Sequence, residues 1–484
     1  MHRVARGVSW TLGGTVVWRL FSAISTIIVA RILGPSDFGA LGIIRNTVQL
    51  FAVYAGFRLG TTATRYVARY RREDPNKAAR VLALSLRVSL MLCVLASAVL
   101  FLVAPGLAAK GLQRADLGGP LAAGALLLLV MLYANVVQNA LAGFESFRRI
   151  AWIDAVKGVV TPVLCIPLAY FYGLQGVIWA LIAVFTIAMV HSLVFMRAEQ
   201  RAAHFPSRIS FSELKSESPV LWQFALPGLL VGLTYTGVLW LGRLLLVREP
   251  SGYVEAGIFE AANQWRVMIV FLPAALARVA LPILSESHGS QSTGAFRDAV
   301  SLNIRVVGMI ALPLTIAVMG LAGPLSALFG KGFEGAKAVI PALMFAVYLH
   351  ALSQALQQVL TAADRRWQSF GIIAASSACF VGACLWSVPQ WGALGLAVGL
   401  CVLEGVCVFL LLVYVQRAVA PSALSREIPF VVFSVSLCSV AWLAQSFLPS
   451  FWAACVAVSA IAIALWRVAL EVRRTRQQGK TISR

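Results

Sequence analysis

PSDFGALGIIRNTVQ at residues 35–49 returns in altered form as PSGYVEAGIFEAANQ at residues 250–264. Without a gap the two copies share Pro35/Pro250, Ser36/Ser251, Gly42/Gly257, Ile43/Ile258 and Gln49/Gln264, with an aromatic at Phe38/Tyr253. The copies stand 215 residues apart, and each opens the second helix of an apolar hairpin. A second correspondence lies 219 residues apart: Asn135, Gln138, Asn139 and Leu141 match Gln354, Gln357, Gln358 and Leu360. The same turn then follows in both copies, FESFRR at 144–149 and ADRRW at 363–367. Self-similarity on this scale marks a duplicated unit. Six helices separate the copies, so both begin on the same side. The repeat is parallel, with its axis along the membrane normal.

The segments around these motifs are apolar enough to need lipid. Of 484 residues, 60% are hydrophobic and 12% charged, with mean hydropathy +0.84. A soluble domain carries about 25% charged residues. About 20 apolar residues span the hydrocarbon core. Dividing the chain at charged and Pro/Gly-rich breaks predicts an all-α membrane protein with about fourteen spans. They run over 9–32, 38–60, 82–105, 117–141, 152–172, 174–196, 221–246, 255–280, 299–322, 337–361, 367–388, 392–415, 428–447 and 451–470. The expected organisation is an N-terminal lobe of helices 1–6 (1–197), an inter-lobe loop (198–220) and a C-terminal lobe of helices 7–12 (221–416). Helices 13 and 14 and a basic tail (417–484) follow without a repeat partner. Arg3 and Arg6 before the apolar run Val8–Leu33 resemble a signal peptide, but the run is longer than such a segment and lacks an Ala-x-Ala ending. It reads as a retained first span.

The Lys and Arg residues orient the chain. With the N-terminus in the cytoplasm, 26 of them fall in cytoplasmic segments and 5 in outer ones, as the positive-inside rule requires. The net charge of +21 therefore marks topology and contact with anionic headgroups. Because the charges alternate with spans, they do not form a nucleic-acid surface. The eight cysteines lie in apolar stretches with no C-x-x-C pair, and read as packing residues. The five histidines are scattered and suggest no metal site. GKGFEG at 330–335 lacks the Lys-Ser/Thr of a phosphate loop. No catalytic motif and no cofactor motif is present, and the loops are too short for a catalytic domain.

Charge inside the spans is the chemical signal. Such residues cost several kcal/mol and are functional candidates by default. Nine arginines remain after the loops are counted; Arg31, Arg58, Arg243 and Arg278 lie near span ends, where they can snorkel. Arg87 and Arg305 lie one or two turns in, and Arg19, Arg45 and Arg266 lie deepest. Only Glu260 and Glu404 read as interior acids. The arginine excess predicts a hydrated cavity with a cationic wall, suited to a phosphate or carboxylate. Arg19, Arg45, Arg266, Arg87, Arg305 and Arg58 are its candidates. Polar side chains recur at helical spacing beside them. Thr15 and Ser22 share a face with Arg19, and Gln49 shares one with Arg45. Asn135, Gln138 and Asn139 line helix 4; Asn263 and Gln264 join Glu260 on helix 8; His350, Gln354, Gln357 and Gln358 lie on helix 10. Amides and hydroxyls both donate and accept, as sugar recognition needs. Interhelical bonding is the structural reading of the same stripes. Glu260 and Glu404 are the candidates for ion coupling, with a satisfied Arg–Glu pair as the alternative.

ARILGPSDFGALGII (30–44), RYVARYRRE (65–73), GFESFRRIAW (143–152) and Pro282-x-x-Ser285 resemble the polysaccharide (O-antigen, Wzx-type) flippase family. That family belongs to the superfamily of multidrug, oligosaccharidyl-lipid and polysaccharide exporters. The resemblance implies two six-helix lobes around a central cavity, often with two further helices. The implied substrate is an undecaprenyl-diphosphate-linked oligosaccharide, turned between leaflets of the bacterial cytoplasmic membrane by alternating access. A polysaccharide polymerase and a chain-length regulator are the implied partners. Arg19, Arg45 and Arg266 are the positions that resemble the family's cationic lumen. The lipid II flippase is the nearest alternative. Multidrug antiporters use acids in the N-terminal lobe, and the sequence shows none clearly inside helices 1–6. A membrane-embedded glycan polymerase or ligase would need a larger outer loop, and an anion channel would carry current.

Overall fold

The computed structural model describes residues 2–56, 59–71, 73–203, 205, 219–289, 293–419, 421–447 and 456–464. Arg58, most of the 198–220 loop and the basic tail from 465 onward lie outside the described residues. The described chain is helical, with no strand. Its elements are α1 (His2–Gly56), α2 (Leu59–Tyr70), α3 (Pro75–Gly106), α4 (Gly118–Gly143), α5 (Phe147–Ala202) and α6 (Pro219–Val247). They continue with α7 (Gly252–Gly289), α8 (Thr293–Gly320), α9 (Ala322–Ala327), α10 (Ala336–Ala362), α11 (Arg366–Ala418) and α12 (Pro421–Phe447). A last helical stretch covers 456–464.

Three of these helices are too long for one crossing. α1, α5 and α11 hold 55, 56 and 53 residues. At 1.5 Å per residue each would run about 80 Å, against about 30 Å of hydrocarbon. Each is broken once at a glycine with positive φ: Gly34 (φ 72°), Gly173 (φ 55°) and Gly392 (φ 50°). Glycine adopts this conformation without steric cost. A Cβ on Gly176 would stand 2.0 Å from the Leu168 carbonyl oxygen, eight residues earlier. Eight residues of straight helix would put them about 12 Å apart, so the chain folds back there. The same holds at Gly395, where a Cβ would stand 2.1 Å from Ser387 O. Among the described residues nine helices are long and apolar enough to cross a membrane. Three of them supply two spans each. With α7 and the stretch at 456–464, the helices accommodate the fourteen spans expected.

The backbone repeats at one spacing. Residues with positive φ recur 219 positions apart as Gln113/Gly332, Glu145/Asp364 and Gly173/Gly392. The turn bonds repeat as well: Ser146 N–H donates to Leu141 O as Arg365 N–H donates to Leu360 O. Two independent stretches of chain therefore use the same turns.

The compact units are residues 1–257 and 258–484, whereas the sequence divides its lobes at 198–220. The displacement has a local cause. α6 is bonded to α1 through Trp240 Nε1, which donates to Thr47 Oγ1 at 2.9 Å. The start of α7 lies backbone to backbone on α1. A Cβ at Gly257 would stand 2.0 Å from Pro35 O, and one at Gly39 would stand 2.1 Å from Tyr253 O. Residues 35–39 of the first motif copy are thereby packed against residues 253–257, the opening of the second.

Two further departures matter. RYVARY is helical, not a loop: α2 buries Ala63 and Val67, one turn apart, against Leu82, Val137, Leu141 and Ile153. α12 begins at Pro421, seven residues before the expected 428.

Candidate functional site

The first unit holds a polar cluster built on α5. α5 starts at Phe147 and carries Asp154 two turns in, with Lys157 one turn further. Both are buried, at 8% and 5% exposure. Lys157 Nζ lies 2.7 Å from Asp154 Oδ1 and 4.6 Å from the centre of the Trp18 ring. A buried carboxylate needs donors, and two helices provide them. Thr15 Oγ1 of α1 lies 3.5 Å from Asp154 Oδ2, and Gln138 Nε2 of α4 lies 3.5 Å from Oδ1. The ion pair is close; the other two contacts are at the long limit of a hydrogen bond.

Asp154 and Lys157 correct the sequence reading twice. The sequence counts Lys157 among the cytoplasmic charges although it falls inside the span 152–172; the structure buries it in the helix bundle. The sequence shows no clear interior acid in helices 1–6, yet Asp154 is one. Cation coupling can therefore not be dismissed for want of an acid there. The structure brings the candidates Thr15 and Gln138 together through Asp154, a residue that the sequence does not single out.

The remaining candidates of this unit are more dispersed. Arg19 and Ser22 are half-buried on α1, and Arg45 and Gln49 are exposed on its second half. Arg87 on α3 and Asn135 and Asn139 on α4 are exposed. Asn139 packs against Gly60 of α2, where a Cβ would stand 2.9 Å from its Nδ2. Its carbonyl accepts from Thr64 Oγ1 at 2.5 Å. Arg243 is buried at 6% exposure, with Nη1 donating to Leu239 O at 3.2 Å.

The α3–α4 connection forms a separate charged knot. Arg114 Nη2 lies 2.9 Å from Asp37, its Nε lies 3.1 Å from Asp116, and its guanidinium sits 5.0 Å from the Tyr253 ring centre. Burial lowers the Arg114 pKa, but the hydrogen bonds and charges of Asp37 and Asp116 outweigh it and hold it above the ordinary value. Burial pushes the Tyr253 phenol up to about 12, and its hydroxyl donates to Leu112 O at 2.8 Å.

In the second unit the interior acids are matched by named groups. Glu404 on α11 is 4% exposed. His350 Nδ1 of α10 lies 2.9 Å from Glu404 Oε1, and Ser353 Oγ lies 2.9 Å from Oε2. Gln357 Nε2 lies 3.9 Å from Cys407 Sγ on the same pair of helices. Glu260, Asn263 and Arg266 form a ladder on α7: Asn263 Nδ2 donates to Glu260 Oε2 at 3.0 Å, and Arg266 Nε donates to Asn263 Oδ1 at 2.6 Å. Asn303 Nδ2 of α8 lies 3.5 Å from Gln358 Oε1. Gln264 is half-buried and Gln354 exposed.

Arg305 stands apart from the other candidates of the cationic wall. Its Nε lies 2.8 and 2.7 Å from the two oxygens of Glu427, whose side chain is fully buried. Ser301 donates to the same carboxylate. Glu427 belongs to α12 and escapes the sequence reading because helix 13 is expected only from 428. Arg305 therefore has a structural partner, and the arginine excess is smaller than the sequence suggests. Among the described residues no group of three or more His, Cys, Asp or Glu could hold a metal ion.

Residues 4–288 match the family described as "Polysaccharide biosynthesis protein". The chain is 25% identical over 382 residues to the EPS I polysaccharide export inner membrane protein EpsE of Ralstonia nicotianae, covering 77% of this chain and 84% of that one. Its fold is similar to the lipid II flippase MurJ in an inward closed conformation: TM-score 0.69, 12% identity, 97% of this chain and 99% of that one. It is equally similar to an inward-facing multidrug resistance MATE family transporter: TM-score 0.69, 16% identity, 84% of this chain and 96% of that one.

Proposed function

From the premise that the chain belongs to the polysaccharide biosynthesis protein family, we propose that this multi-pass membrane protein is a flippase for a lipid-linked, anionic oligosaccharide. It carries its substrate from the cytoplasmic to the outer leaflet of the bacterial cytoplasmic membrane by alternating access, for a cell-surface or exported polysaccharide. The lipid carrier is undecaprenyl diphosphate. The observation that carries the reading is the family match, which spans 4–288 and so includes α1 to α6 with all the first unit's candidate residues. The relative named as a polysaccharide exporter supports it. The similar solved structures support the fold alone, since flippases and drug transporters share it.

In this reading Arg19, Arg45 and Arg266 contact the diphosphate, because guanidinium groups match phosphate oxygens in pairs. The amides of α4 and α10 contact the sugars. The lipid tail stays in the bilayer. Both termini are cytoplasmic, and a membrane potential negative inside favours outward movement of the anion by about 2.3 kcal/mol per charge per 100 mV. A polymerase and a chain-length regulator would act on the product.

Removing the gene tests this reading. The surface glycan should disappear while its lipid-linked precursor accumulates on the cytoplasmic leaflet. Normal surface glycan in the deletion strain overturns the function. Replacing Arg19→Gln should lower surface glycan about tenfold or more, because that is the worth of one charge-assisted hydrogen bond to the diphosphate. A stable R19Q protein with normal export overturns the binding assignment alone.

A further inference from the structure

The second unit contains a buried carboxylate paired with a histidine of another helix. Glu404 and His350 are 5% and 14% exposed at their side chains, with 2.9 Å between Oε1 and Nδ1. The Ser353 hydroxyl lies 2.9 Å from both Glu404 Oε2 and the His350 carbonyl, so it can steady the carboxylate whichever form the ring takes. Histidine ordinarily exchanges its proton near pH 6.5, whereas lysine does so near 10.4. A histidine held against a buried carboxylate offers a place where one proton can bind and leave.

Resting on the flippase reading, we propose that His350 and Glu404 form a proton-binding site and that exchange of its proton drives the transport cycle. In both forms Nδ1–H donates to Glu404 Oε1. The exchanging proton sits on Nε2: imidazolium gives it to water, leaving imidazole and hydronium. With the proton bound, the pair is a carboxylate beside a cation and carries no net charge. With the proton gone, it carries a net −1. A lone negative charge is costly in an apolar interior and cheap where water reaches it. The site therefore closes with its proton on and releases it only when hydrated, which ties proton exchange to conformational change.

Titratable groups near the pair come from the elements packed against α10 and α11. On α11, Cys401 and Cys407 are the electrostatic neighbours of Glu404. On α12, Cys438 lies beside Cys401, and Glu427 is already matched by Arg305 of α8. On α10 the other titratable groups are Tyr348 and Lys337, and α9 has none.

The test has two parts. Purified full-length chain in nanodiscs is moved from pH 8 to 5.5 with a pH-indicator dye. Wild type should take up about one proton per chain more than H350Q; equal uptake overturns the site. If H350Q does not fold, E404Q takes its place with the same criterion. The chain is then reconstituted in liposomes with a short polyprenyl-diphosphate-linked disaccharide as probe. One coupled proton should shift the probe's steady-state distribution about tenfold per pH unit of gradient, and H350Q and E404Q should abolish that response. A wild-type protein that flips the probe without regard to the gradient overturns the coupling and leaves the flippase reading intact. A probe that stays immobile with a normal proton count fells the flippase reading and leaves the proton site.

Discussion

The two repeat-related stretches share their turns and differ in their interior charges. Glu145 and Asp364 occupy the same left-handed turn position, and Gly173 and Gly392 the same break within a long helix. The buried acids do not follow that symmetry. In the first unit Asp154 sits in the first half of α5 with a lysine one turn away. In the second, Glu404 sits in the second half of α11 and takes a histidine from another helix. Position 373, the repeat counterpart of Asp154, is Ile373. Backbone geometry is preserved because turns have few solutions, whereas side-chain chemistry is free to diverge. The halves therefore have the same turns and different buried pairs: one holds a lysine and an aspartate on a single helix, the other a histidine and a glutamate from two helices.

The largest effect should come from breaking the Asp154–Lys157 pair. Asp154→Ala leaves Lys157 buried without its nearest counter-charge and should cost about 3–5 kcal/mol in unfolding free energy. The double variant D154L/K157M removes both charges and should recover most of that loss; a double variant as unstable as D154A would show that the pair is more than a matched charge. Arg305→Ala strands the fully buried Glu427 in the same way. Because Arg305 is partly exposed, the loss should be smaller, about 2–3 kcal/mol, and should appear as increased hydrogen exchange in α12.

Glu404→Gln should cost less again, about 1–2 kcal/mol, because a neutral imidazole can still hydrogen-bond the amide. A loss as large as that of D154A, measured by thermal unfolding in detergent, would erase the proposed difference between the halves. Gly173→Ala and Gly392→Ala probe what the halves share. Each forces an alanine to positive φ at about 1–2 kcal/mol, and the two costs should agree within about 0.5 kcal/mol. Unequal costs would mean that the two breaks are not equivalent.

Much of the scaffold is legible in the sequence. Matching motifs at offsets of 215 and 219 predict the duplication, and the apolar runs locate the spans. The interior charges are harder to read for a physical reason. A span is found by cutting the chain at charges, so a charge inside a helix pushes the boundary away from itself. Lys157 stands inside the span 152–172 and is counted with the cytoplasmic charges because it lies near that end. Glu427 escapes because the apolar run of helix 13 begins one residue after it. Asp154 hides beside Lys157, although the two stand at i and i+3, a spacing that pairs charges on one helix face. α2 is concealed because RYVARY is too polar to span. Its Ala63 and Val67 stripe, one turn apart, is the available signal. The pairing of His350 with Glu404 joins two helices at positions 54 residues apart, and no local pattern could give it.

Leaflet exchange can be measured directly. Liposomes containing the purified chain and a fluorescent polyprenyl-diphosphate-linked disaccharide are exposed to a membrane-impermeant reductant that bleaches only the outer leaflet. A flippase carries inner-leaflet molecules outward, so bleaching should proceed to the whole probe pool, and R19Q should slow this second phase. Bleaching that stops at the outer-leaflet share, as in liposomes without protein, would refute the flippase reading.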